Sequence, residues 1–367
     1  MADQRLKNFA TVLVDFSTRI QPGDRVLLQA TTLVEEFVDE LYRQILERGG
    51  HPYQALRSPE MREIKVRTGN EEQLLHTDQL VAYAYEHFES RINIWSEGNT
   101  QTLGGSDPQK QSTYMKSFAP ILNTQFQRGA KKEFKWVTTI FPTRAYAQQA
   151  GMGFEAYEDF LYRAVHAHED DPVAYWKQLK DRQQKYVEAL NGHDKVQLRG
   201  PNVDLTLSIK DRVFINSYGE NNMPSGEVFT GPVEDSVNGW VRYTYPAQYG
   251  GNIVEGAELK FKDGKVVEAT AEKNQDFLRQ TLNTDEGASY VGEFAFGLNE
   301  DIDQFTGHIL LDEKIGGSFH MALGKGYPET GSQNDSAIHW DMICDMREDS
   351  EVLVDGEVFY KDGKFVV

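Results

Sequence analysis

The chain is poor in the residues that announce most familiar chemistries. It has one cysteine, Cys344, in 367 residues, which excludes an intramolecular disulfide and any zinc site built from several cysteines. No apolar run is long enough to span a bilayer. The first residues, Met1-Ala2-Asp3-Gln4-Arg5-Leu6-Lys7, lack the basic lead and long apolar core of a secretory signal, so a cytoplasmic protein is expected. Bases number 38 against 57 acids, for a net charge of −19. Neither nucleic acid nor an anionic membrane finds a basic face on such a chain; the acidity reads as solubility. There is no G-x-G-x-x-G after the first strand, no Walker loop, no G-x-S-x-G elbow and no H-E-x-x-H. Nucleotide binding, serine hydrolysis and the common single-zinc peptidases are disfavoured together.

What is present is ordinary globular composition, 39% hydrophobic and 26% charged, on a chain long enough for two domains. The first half alternates helix and strand. Leu6, Phe9, Ala10, Val12, Leu13 and Phe16 recur at helical spacing, and Arg25–Ala30 reads as a buried strand. Thr31 or Thr32 caps the next helix, which stops at Gly49-Gly50. Further strands are expected at Tyr53–Leu56, Arg91–Trp95 and Phe134–Ile140. That alternation predicts an α/β N-terminal domain with a mostly parallel sheet. Phe154–Leu190 reads as wholly helical, and Asn191-Gly192-His193-Asp194 breaks it. The division is therefore expected as residues 1–192 and 193–367. Beyond the break come short strands (Lys195–Leu198, Val203–Ile209, Arg212–Asn216, Trp240–Tyr245), one helix near Asn274–Leu282, and two Asp-Gly hairpins at Glu258–Val267 and Val358–Val367. The second half is predicted as a β-rich α+β domain.

The density of metal-ligand side chains rises sharply near the end. Three of nine histidines, His308, His320 and His339, fall in one short stretch with Tyr327 and Asp341. His339 and Asp341 are two apart, so on a strand they share a face at roughly 6–7 Å between Cα atoms. That span lets an imidazole and a carboxylate converge on one borderline cation. Trp340, Met342 and Cys344 then point the other way, into packing. His320 lies between glycines in Gly316-Gly317-Ser318-Phe319-His320-Met321-Ala322-Leu323-Gly324, which permits close backbone approach.

Two upstream glutamates strengthen the pattern. Glu227 in M-P-S-G-E-V-F-T and Glu293 in Y-V-G-E-F-A-F-G each follow glycine inside an apolar stretch. A buried carboxylate is costly unless paired or bound to metal. Other acids, Glu234-Asp235, Glu300-Asp301 and Asp312-Glu313, lie in runs typical of solvated loops. Two imidazoles with three carboxylates exceed the needs of one tetrahedral zinc and suit two cations about 3.5–4 Å apart. Such a pair acidifies water and polarises a carbonyl, the chemistry of amide or ester hydrolysis. Tyr327 is a candidate ligand or oxyanion donor, and equally a packed strand-end tyrosine. His308 and Lys314 are left without a role.

At these residues the chain resembles the M29 aminopeptidase family. The likeness is carried by M-P-S-G-E-V-F-T, V-G-E-F-A-F-G, L-D-E-K-I-G-G-S-F-H-M-A-L-G, Y-P-E-T-G and A-I-H-W-D, with a weaker echo in Q-P-G-D-R-V-L-L. It spans essentially the whole chain, its specific part lying within 223–341. The resemblance implies a cytoplasmic, homodimeric metallo-aminopeptidase that removes N-terminal residues from peptides using two divalent cations (zinc, cobalt or magnesium). It implies that Glu227, Glu293, His320, Tyr327, His339 and Asp341 occupy the metal-site positions, with Glu227, Glu293 and Tyr327 as catalytic candidates. The stretch between Tyr327 and His339 is shorter than in some members, which leaves the ligands intact but alters a loop.

Two alternatives stay open. His320, His339 and Asp341 alone form the two-histidine, one-carboxylate set of a mononuclear ferrous ring-cleaving dioxygenase. A purely structural site is the other, although such sites are closed and made chiefly of cysteine and histidine.

Overall fold

The computed structural model describes residues 3–366. By compactness the chain divides into two units, one of residues 1–176 with 219–224, the other of 177–218 with 225–367.

The first unit is built on five strands in the order His51–Arg57, Arg25–Thr31, Ser90–Trp95, Lys135–Ile140, Asn222–Met223. Every pairing is parallel. Val26 to Ala30 are all buried, as a strand covered by helices on both faces requires. The first helix, Gln4–Thr11, widens into a π-helical segment, Val12–Ser17. The fifth strand, Asn222–Met223, arrives from far along the chain, and the Met223 carbonyl accepts from Thr139 at 2.6 Å.

The continuous helix expected over Phe154–Leu190 is two helices, Phe154–Ala164 and Pro172–Leu190. His166 adopts a left-handed backbone (φ 54), and Pro172 contributes no N–H and disfavours helix in the residue before it. Asp171 caps the second helix, its carboxylate accepting from the Ala174 N–H at 2.9 Å.

The second unit contains an eight-stranded and a five-stranded antiparallel sheet. Their facing side chains form one core that includes Leu198, Leu205, Val241 and Leu259 from the larger sheet and Phe294, Phe296, Phe319, Met321, Trp340 and Met342 from the smaller. Both Asp-Gly turns have two consecutive positive φ values, 48 and 81 at Asp263-Gly264, 45 and 82 at Asp362-Gly363. This is the hand that suits the twist of a two-residue hairpin. Val367, the end of the second expected hairpin, lies outside the described residues. The strand expected at Arg212–Asn216 is the shorter Ile215–Ser217. Among the described residues no helix is long and apolar enough to cross a membrane.

The five-stranded sheet runs His339–Asp345, Ser318–Gly324, Val291–Gly297, Glu227–Thr230, Ile215–Ser217. One of its faces supplies the core just described. The other carries the residues considered next.

Candidate metal centre

Strand alternation decides which side chains meet. In the last strand Trp340, Met342 and Cys344 are in the core, so His339 and Asp341 project from the opposite face. Phe319, Met321 and Leu323 likewise turn inward and leave His320 outward, and Phe294 and Phe296 do the same for Glu293. Val228 is in the core, placing Glu227 on the same outer face. The expectation for Trp340, Met342 and Cys344 therefore holds, and burial pushes the Cys344 thiol up to about 12.

Register then makes room. Glu293 pairs with Ala322, His320 with Ala295, Asp341 with Ala322, His339 with Gly324, and Glu227 with Gly297. Each polar side chain thus has alanine or glycine beside it on at least one neighbouring strand, and the volume a larger residue would fill there is left to the charged groups. Backbone approach is close as well. A Cβ on Gly292 would stand 2.2 Å from the Gly324 carbonyl oxygen, and Gly324 itself has φ +94.

The outcome is one continuous cluster. His320 Nε2 lies 3.6 Å from Glu293 Oε1 and 3.7 Å from Glu227 Oε2. His339 Nε2 lies 3.3 Å from Glu293 Oε2 and 3.5 Å from Asp341 Oδ1. Glu293 is thus shared, one oxygen turned to each imidazole. Charge-assisted hydrogen bonds are shorter than this, about 2.7–2.9 Å. Donors about 2.1 Å from a common tetrahedral cation stand about 3.4 Å apart, which is the spacing observed.

Two further observations fit a cation. His339 Nδ1 lies 2.7 Å from the Lys325 carbonyl. A carbonyl can only accept, so Nδ1 carries a proton and Nε2 is turned toward the cluster, the usual support of a metal-binding histidine. Both ring nitrogens of His320, with Asp341 Oδ1, are buried without a hydrogen-bond partner among the described residues. Buried polar atoms are rarely left so. Among the described residues, three groups of carboxylate and imidazole donors in this unit have the spacing to hold an ion: Glu227 with Glu293 and His320, Glu293 with His339 and Asp341, and Glu313 with His320 and Asp341. A fourth, His166, His168 and Glu169, is in the first unit and mostly exposed.

Burial opposes the charged imidazoles, but Glu293 and its neighbouring acids push His320 up to about 9, and Asp341 with Glu293 pushes His339 up to about 12. Burial would raise Glu293 and Asp341, yet the imidazoles hold both below the carboxylate range, Asp341 at about 2.

Tyr327 is at the rim, its ring edge-on to His339 with centroids 5.3 Å apart and to Phe229 at 5.4 Å. Burial, with Glu293 and Asp341 nearby, raises its phenol above the ordinary range. His308 is half-buried in front of the short helix Ile309–Asp312 and, among the described residues, belongs to none of the donor groups.

Three residues were passed over in the sequence. Asp312 and Glu313 are not solvated loop acids. Asp312 is buried and accepts from the N–H and hydroxyl of Thr306 at 2.7 Å each. Glu313 belongs to a donor group and is ion-paired with Lys314. Lys314 is fully buried, its Nζ 3.0 Å from Glu227 Oε2. Burial works against that ammonium, but Glu227 and Glu313 hold it above the ordinary lysine range. Adjacent opposite charges read as a solvated pair, and only the apolar Ile-Gly-Gly that follows hinted otherwise. Glu234 is likewise engaged, with Arg212 at 2.6 Å and the Gln333 N–H at 2.7 Å.

Known proteins resemble this chain over nearly its whole length. Aminopeptidase 2 of Geobacillus stearothermophilus is 29% identical, the match covering 99% of this chain and 95% of the relative. Aminopeptidase AmpS of Bacillus subtilis (strain 168) is 27% identical, over 99% and 98%. The solved structure titled wild-type AmpT from Thermus thermophilus superposes with a TM-score of 0.87 over 99% of each chain at 23% identity, a likeness of fold. The model of the thermophilic metalloprotease family (M29) matches residues 2–365, and the chain belongs to that family.

Proposed function

We infer that this chain is a metal-dependent aminopeptidase, hydrolysing the bond after the first residue of a peptide. The observation that carries the reading is Glu293, whose two oxygens face two different imidazoles. Membership of a metalloprotease family supports it, as do the names of the relatives, which are aminopeptidases. Two divalent cations, zinc, cobalt or magnesium, fit the donor set, one held by Glu227, Glu293 and His320, the other by Glu293, His339 and Asp341. When bound, such ions acidify water and polarise a carbonyl.

The chain's own residues have separable tasks in this account. Glu293 holds the two halves in register by standing between them. The Lys325 carbonyl fixes the tautomer and plane of His339. Tyr327, at the rim, completes one coordination sphere or donates to the developing oxyanion. Since Glu293 has both oxygens engaged, the carboxylate left to carry a proton to the leaving amine is Glu227 or its Lys314-linked neighbour Glu313. The catalytic domain of the proposal is the β-rich second half, expected as 193–367. A homodimer and a cytoplasmic site of action rest on the family resemblance alone. The mononuclear dioxygenase alternative finds no support, since the family is one of metalloproteases and the relatives are named aminopeptidases.

The test is an assay of metal-stripped protein on short peptides with free and acetylated N-termini, with zinc, cobalt, magnesium or ferrous iron restored singly. Release of the first residue from the free peptide only, returning with about two ions per chain, is the expected result. Oxygen uptake on an aromatic diol with one iron per chain, and no cleavage, would overturn the reading.

A further inference from the structure

The cluster contains a cation that the account above does not use. Lysine is seldom fully buried unless paired, and Lys314 is fully buried. Its backbone is anchored on both sides: its N–H donates to the Leu311 carbonyl at 2.9 Å, and its carbonyl accepts from the Asn299 N–H at 3.1 Å. The ammonium is therefore aimed rather than free to swing. It meets Glu227 Oε2 at 3.0 Å and pairs with Glu313.

That same Glu227 oxygen faces His320 Nε2 at 3.7 Å. Lys314 thus grips a donor atom of one half of the cluster from behind. The other half has a different support, the Lys325 carbonyl on His339. Supports behind metal ligands fix their orientation, and removing one typically costs 10–100-fold in metal affinity.

We propose that Lys314 is a positioning residue chiefly for the Glu227–His320 half of the centre, whose carboxylate it touches directly, so that its loss weakens one cation far more than the other. The proposal rests on the two-cation reading above. If Lys314 were only a counter-charge for burying acids, its loss would change both half-sites alike or neither.

Zinc titration by calorimetry separates these cases, run on metal-stripped full-length wild type, Lys314→Met and Lys314→Arg. Wild type is expected to take two zinc ions in resolvable steps. Lys314→Met should weaken one step by about 10–100-fold and leave the other within about threefold. Lys314→Arg, which keeps charge and N–H donors, should recover most of the loss. Equal weakening of both steps, or no weakening, overturns the proposal, and so does an arginine variant no better than methionine. Should the methionine variant not fold, Lys314→Gln takes its place under the same criteria. A wild type binding fewer than two ions fails the two-cation reading itself, seen before any substitution is made.

Discussion

Each unit of this chain buries charge, and the two do so in opposite ways. In the first, Arg91 is buried in the parallel sheet and its guanidinium is satisfied. It donates to Gln29 Oε1 at 3.0 Å, to Gln125 Oε1 at 2.7 Å and to Thr138 Oγ1 at 3.3 Å. In the second, Glu227, Glu293, His320, His339 and Asp341 stand 3.3–3.7 Å apart with buried atoms lacking partners. A closed polar network rigidifies a core, whereas one with unpartnered buried atoms is costly. The same sheet-forming logic therefore produced a structural arginine in one unit and a cation receptor in the other.

Substitutions sharpen that contrast in order of expected size. Glu293→Gln removes the carboxylate charge shared between the two imidazoles and should lower kcat/KM by roughly a thousandfold or more. The melting temperature of the metal-free form should fall, because the two imidazoles lose the carboxylate that stabilises their charge. Near-normal turnover would break the account. Ala322→Leu fills the space between Glu293 and Asp341, its partners in register. Metal affinity should fall by about 10–100-fold, and overpacking should cost about 1–3 kcal/mol, read by titration and urea unfolding. Unaltered metal binding would mean the small cross-strand residues do not make the room.

Arg91→Met strands the acceptors of a closed network and should cost about 1–3 kcal/mol of stability. Metal content per folded chain should stay at the wild-type value; a drop would erase the distinction between the two sets. The smallest effect belongs to the half-exposed Arg25–Glu89 pair. Arg25 holds the Glu89 carboxyl down at about 2. A depressed carboxylate contributes stability that is present above its unfolded value near 4.5 and is lost as pH falls toward 2. Both side chains are more than a third exposed, so Glu89→Gln should remove less than about 1 kcal/mol at neutral pH. The difference from wild type should shrink in acid unfolding below pH 4.5.

Much of the site could be read from the chain because strand parity is local. His339 and Asp341 are two apart, and Glu227 and Glu293 are lone acids after glycine in apolar runs. What could not be read depends on register between distant segments. Ala295, Ala322, Gly297 and Gly324 look like ordinary small strand residues until pairing sets them beside the charged ones. Asp312, Glu313 and Lys314 have the local signature of a surface turn, and only tertiary burial reveals them. The return of Gly219–Pro224 to the first unit is non-local for the same reason. The break before Pro172 was different, since the proline was visible and its rule simply outweighs the helical pattern around it.

The most direct test is an anomalous diffraction map of the cobalt-loaded protein. Two peaks about 3.5–4 Å apart, flanking the Glu293 carboxylate with His320 beside one and His339 beside the other, are the predicted result. A single peak, or two that leave Glu293 uncoordinated, would contradict the account.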